Sequence, residues 1–156
     1  MGALVWTACY WLHLMSTVIW IGGITFILFI AIPSARQVLA SEAGKLMTEI
    51  SKRFTPWANY CILLLITTGI TLLMLRLQSS KTSHWESAWN SAITAKLFLV
   101  LGMIAIHFYR GLVLAPKIGK TASAAEKTIL QKQSINLVKV IFGLGSLVLL
   151  FSAITS

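Results

Sequence analysis

The sequence predicts an all-α integral membrane protein: a bundle of four transmembrane helices with both termini on the outer side. Three observations carry this prediction. Hydrophobic residues make up 57% of the 156-residue chain and charged residues only 11%, a balance that excludes an ordinary soluble domain. Four apolar runs are each long enough to cross the ~30 Å hydrocarbon core of a bilayer. The cations behind the net charge of +9 fall in short connectors between those runs, which is the pattern of membrane topology rather than of a nucleic-acid surface. Their expected partner is the lipid headgroup, and no nucleic acid is implied. The length suits one membrane domain over residues 1–156.

The first helix is predicted over about residues 3–32 and is ended by Pro33. At ~1.5 Å per residue it is about 45 Å long, enough to span with tilt or overhang. No Lys or Arg precedes it, and it is too long for the apolar core of a cleaved signal peptide, so it is expected to remain as a span. Gly22-Gly23 marks a point where a neighbour's backbone or a flat ligand can come close. Residues 34–53 then form a polar connector whose apolar positions Val38, Leu39, Leu46, Met47 and Ile50 recur at near-helical spacing. This predicts a short amphipathic helix on the membrane surface or an extension of the bundle.

The second helix is predicted over 54–75, with Pro56 in its first turn, where a missing N–H costs nothing. Thr67, Thr68, Gly69 and Thr71 give it a small, hydroxylated packing face. In the connector 76–90, Trp85 and Trp89 read as interfacial anchors and His84 as a solvated residue. The third helix is predicted over 91–114, stopped near Pro116. It carries Lys96, His107 and Arg110, a heavy polar load for a span. After the basic connector 116–134, the fourth helix is predicted over 135–154. No strong internal repeat is visible. Lys and Arg concentrate in the first connector (Arg36, Lys45, Lys52, Arg53) and around the third (Arg110, Lys117, Lys120, Lys127, Lys132). The positive-inside rule assigns both connectors to the cytoplasm.

Ionisable groups inside spans are costly unless partnered and mark candidate sites. Under the predicted topology His13 lies ~7 Å and Lys96 ~10 Å to the outer side of their helix midpoints, whereas His107 lies ~6 Å to the inner side. His13 and Lys96 therefore share a depth that His107 does not. On the first helix His13 and Trp20 share a face with Cys9, Ser16, Thr17 and Gly23 nearby; on the third, Lys96, Met103, His107 and Arg110 form one stripe. A structural reading stands beside the functional one. His13 can bond a hydroxyl on a neighbouring helix, Lys96 and Arg110 can reach opposite interfaces through their apolar stems, and Trp20 can be packing. Cys9 and Cys61 lie in apolar runs without CxxC spacing and read as small buried hydrophobes. As ligands, imidazole serves haem iron, copper or zinc, and a desolvated lysine amine can ligate iron. Zinc hydrolysis is disfavoured, since there is no HExxH motif and no carboxylate in any predicted span. The five methionines are scattered rather than clustered.

The spacings H-x6-W-x2-G (His13, Trp20, Gly23) and K-x10-H (Lys96, His107), followed by Arg110-Gly111, resemble the first and third helices of two related groups. These are the HemJ-type protoporphyrinogen IX oxidases and the CopD-type membrane domain of copper-resistance proteins. Arg53-Phe54 and Thr68-Gly69 fit the second helix of both, so the resemblance spans most of residues 10–112. The HemJ resemblance implies a helical inner-membrane protein carrying haem b between His13 and Lys96. Such a protein oxidises protoporphyrinogen and passes electrons to a quinone or another acceptor. Trp20 and Gly23 would shape the haem pocket, and His107, Arg110 and Cys61 a second polar site. The run ITFILFIAIPSAR after the Trp-Gly sits closer to the CopD pattern, and the absence of Trp-Leu before Lys96 departs from the HemJ one. That resemblance implies copper uptake or resistance, with His13, His107, Met103 and Cys61 as candidate metal ligands. The expected main reading is the haem-b redox protein, with copper handling as its alternative. A third reading is a non-catalytic subunit, or a homo-oligomer, within a larger membrane complex.

Overall fold

A computed structural model describes residues 2–79 and 87–154. Among the described residues the chain is helical except for a short extended turn at 121–123. It divides into two compact units, Met1–His84 and Trp85–Ser156. Three helical stretches, Ala3–Arg76, Ser91–Lys120 and Ala124–Ile154, are long and apolar enough by length and composition to cross a membrane. Large apolar side chains such as Phe29, Phe98 and Leu112 lie exposed along them, as lipid-facing residues do.

In the first unit α1 (Gly2–Phe26) leads through a wide π-helical turn (Ile27–Ala31) into α2 (Ile32–Leu39). A 3-10 turn (Ala40–Glu42), with Ala40 at φ 42°, reverses the chain into α3 (Ala43–Ser79). α1 and α3 pack along each other. Their pairing is antiparallel, because His13 meets Thr68 while Gly23, further along α1, meets Phe54, earlier on α3. Trp20, Ile24, Ala58, Cys61 and Ile62 are buried in this unit.

The second unit is built the same way. α4 (Ser87–Tyr109) passes through a π turn (Arg110–Leu114) into α5 (Ala115–Lys120), and α6 (Ala124–Ile154) returns against α4. Arg110 meets Ser134, and Gly102 faces Leu144. Met103, Leu114, Val138 and Ile141 are buried.

The two units therefore form an internal repeat, which the sequence reading did not show. One constant step along the chain carries Ile27 to Arg110 at the start of each π turn, Pro33 to Pro116 just beyond it, and His13 to Lys96 about four helical turns before it. The same step carries buried Trp20 to buried Met103, Ile24 to His107, and Ala31 to Leu114.

Several predicted boundaries are corrected. Pro33 and Pro116 do not end their helices; each opens the next segment, α2 or α5. A proline lacks the N–H for the carbonyl four residues back and crowds it. The π turn ahead of each proline shifts the bonding register by one residue, so that Ile32 N–H bonds the Ile27 carbonyl and Ala115 N–H that of Arg110, and the chain stays helical. The second helix begins at Ala43, not at 54, which leaves Pro56 inside α3 rather than in a first turn. The fourth begins at Ala124, not at 135. Both added stretches are polar but rich in good helix formers such as Lys, Leu, Glu and Gln, so the helix runs on where the apolar pattern stops. Ser123 caps α6, its hydroxyl accepting the Glu126 N–H at 3.4 Å. The expectations for His84 and Trp85 lie outside the described residues.

Candidate functional site

In the first unit the centre of the site is His13 on α1. Its Nδ1 lies 2.8 Å from the Thr68 hydroxyl on α3. Thr68 is followed by Gly69, where an added Cβ would stand 3.5 Å from His13 Cε1, an ordinary contact distance. The ring edge is thus seated against the Thr68-Gly69 pair. One helical turn along α1, Ser16 is buried, and Trp20, two turns along, is only 2% exposed. Cys61 is buried on α3 two turns before Thr68, on the same face. Gly23 has a different role from the ligand approach that its size invites. A Cβ there would overlap the Phe54 ring, so the missing side chain is what admits Phe54 between α1 and α3. Gly22 has open space beside it.

Other threonine hydroxyls of this unit turn back on their own helices. Thr17, Thr25, Thr67 and Thr71 each donate to the carbonyl four residues earlier. This satisfies them without water, as a bilayer interior requires. Thr68 makes the same bond to Leu64, at 2.5 Å, and alone among these it also reaches a side chain on the other helix.

In the second unit Met103 and His107 stand one turn apart on α4, 2% and 8% exposed. The His107 ring meets the Phe108 ring edge-on, with centroids 5.6 Å apart. Arg110, the first residue of the π turn, donates from Nε to the Ser134 hydroxyl at 3.2 Å, tying the turn to α6. Lys96 is half-buried at the station that His13 occupies in the first unit. His13, Trp20, Gly23 and Cys61 therefore belong to the first unit, and Lys96, Met103, His107 and Arg110 to the second.

Among the described residues no three His, Cys, Asp or Glu side chains are grouped to hold a metal ion. What the helices offer is sparse and soft: imidazole at His13 and His107, a thioether at Met103 and a thiol at Cys61, all on apolar helices. Such donors suit Cu(I), which accepts few ligands and favours nitrogen and sulfur. They do not form a preassembled cage for a hard cation, which needs six or more oxygens. Three residues that the sequence reading left without a site role now have contacts: Thr68 with His13, Phe54 with Gly23, and Ser134 with Arg110. Thr68-Gly69 and Arg53-Phe54 were legible motifs; Ser134 carried no signal beyond its position near a helix end.

Fold and side chains together define an all-helical, multi-pass membrane protein with imidazole and sulfur donors on its apolar helices. The family model for Copper resistance protein D matches residues 48–155, more than two thirds of the chain, and the protein belongs to that family. No curated protein and no solved structure matches the chain. The family match supports the copper alternative among the sequence expectations and gives no support to haem b or to the HemJ-type activity. It covers Cys61, Lys96, Met103, His107 and Arg110 and begins after α1, so His13, Trp20 and Gly23 precede the matched range.

Proposed function

We propose that this protein handles copper within the membrane, taking the ion as cargo and binding it at isolated soft ligands on its helices. The family match over residues 48–155 is the observation that carries this reading. In it, α1, α3, α4 and α6 supply four spans of the cytoplasmic membrane, with both termini outside. His13 is the outer-side ligand, and Met103 and His107, a turn apart on α4, are the inner-side pair. Cys61 is an accessory thiol on α3. Sparse coordination suits an ion in transit, since a full cage would hold it too tightly to release. Lys96 and Arg110 act as interfacial cations rather than as ligands.

The test is cellular copper content and growth across a copper series, in cells expressing the wild type, His13→Ala or His107→Ala. Expression of the wild type is expected to change copper content at least severalfold, and each variant to abolish the change at equal protein level. Copper content indifferent to expression of the wild type would sink the proposal. The purified protein is expected to be colourless. A reduced b-type absorbance spectrum, lost in both His13→Ala and Lys96→Ala, would replace copper with haem.

A further inference from the structure

The hydrogen bond between His13 and Thr68 has a direction, and the next bond in the chain fixes it. A threonine hydroxyl has one hydrogen to donate and lone pairs to accept with. Thr68 Oγ1 lies 2.5 Å from the Leu64 carbonyl oxygen, which can only accept, so the hydroxyl hydrogen points there. What Thr68 presents to His13 Nδ1 at 2.8 Å is therefore a lone pair. Nδ1 must carry the proton in this contact, and a neutral imidazole protonated on Nδ1 keeps its free lone pair on Nε2. The bond crosses from α1 to α3, the two helices that make up this unit, and Thr68 is itself buried. The ring lies against Gly69, where an added Cβ would stand 3.5 Å from His13 Cε1, at ordinary contact distance.

We propose that Thr68 is the positioning residue of the His13 site. By accepting from Nδ1–H it holds His13 as the neutral Nδ1–H tautomer, with Nε2 as the atom that binds Cu(I). This rests on the copper reading above and adds which nitrogen binds and what sets it. A ligating histidine whose second nitrogen donates to a fixed acceptor is held in one orientation and is the more basic for it; loss of such an acceptor typically weakens metal binding roughly 10–100-fold. The acceptor in this site is a hydroxyl relayed to a backbone carbonyl, which needs neither carboxylate nor water inside the span.

The experiment uses the full chain in detergent or nanodiscs. It combines Cu(I) titration against a chromophoric chelator with imidazole nitrogen NMR of histidine-labelled protein. Thr68→Val keeps the shape and removes the acceptor; Thr68→Ser keeps the hydroxyl. The wild-type His13 signal is expected to show Nδ1 protonated and Nε2 bare, with Nε2 shifting on Cu(I) addition. Thr68→Val is expected to lose roughly 10–100-fold in affinity and to lose the fixed tautomer, and Thr68→Ser to retain both. A purely packing role would instead let Thr68→Val retain both. A wild-type His13 protonated on Nε2, or Thr68→Val binding Cu(I) as the wild type does, would overturn the proposal while leaving the copper reading intact. His13→Ala binding Cu(I) with undiminished affinity would remove copper from His13, and the proposal with it.

Discussion

At the scale of single residues, the two adjacent glycines of α1 separate packing from ligand approach. Gly23 has no side chain because the Phe54 ring fills that space, whereas Gly22 faces open space. Gly23→Ala drives a methyl group into that ring and is expected to cost about 1–3 kcal/mol, the usual range for overpacking. Gly22→Ala is expected to be neutral or slightly stabilising, because alanine is the better helix former by about 1 kcal/mol. The pairing can be isolated in a double-mutant cycle by thermal unfolding in detergent: Phe54→Leu should recover much of the Gly23→Ala loss and none of any loss at Gly22. If Gly23→Ala melts with the wild type, the glycine is kept for something other than Phe54. His13 and Trp20 were legible from one helix alone, since a shared face follows from spacing. That His13 can bond a hydroxyl on a neighbouring helix was legible too; that the hydroxyl is Thr68, and that Gly23 faces Phe54, was not, because a ring or hydroxyl on α3 becomes a neighbour only once the antiparallel register is fixed.

At the scale of elements, hydropathy located the apolar stretches but not the helix ends. Apolar runs mark where the chain is greasy; helix formation depends on propensity and caps, and so continues through the polar stretches before residues 54 and 135. The start of α6 was written locally: Ser123 and Glu126 stand in the S-x-x-E arrangement of a capping box, and the Ser123 hydroxyl takes the Glu126 N–H. Ser123→Ala is expected to lower helix stability by about 1 kcal/mol and to speed hydrogen exchange at the Glu126 and Lys127 amides, with the amides beyond residue 135 unchanged. Exchange that accelerates evenly along α6 would mean that the cap supports the whole helix rather than its first turn. Pro33 and Pro116 misled for a related reason. A proline predicts a helix end unless the register slips ahead of it, and that slip, the π turn, is set by backbone bonds with no side-chain signature.

At the scale of the whole chain, each unit carries the same charge asymmetry. In the first, Arg36, Lys45, Lys52 and Arg53 gather where the chain reverses, against Arg76 near the far end of α3 and Lys81 after it in the sequence. In the second, Arg110, Lys117, Lys120, Lys127 and Lys132 gather at the corresponding reversal, against Lys96 on α4 and Lys139 further along α6. Few identities link the two halves, which hid the repeat. It is preserved instead in the positions of the π turns, the prolines and the buried stations, and these emerge only when structure is laid over sequence. A repeat of two-helix hairpins fixes topology more firmly than either half alone, because an even number of crossings returns the chain to its starting side before the second hairpin begins. If each hairpin crosses twice and the basic reversals are held in the cytoplasm, both termini are expected outside. Alkaline phosphatase fused after residue 156 is expected to be active and a fluorescent protein there dark, whereas the same reporters placed at 121–123 should give the opposite readings. Moving the basic residues of one reversal to the other end of its hairpin should set the two hairpins in conflict, and mixed reporter signals from that variant would show that each reads its own charges. A cytoplasmic terminus in the unaltered chain would instead mean that one of the four long helices does not cross.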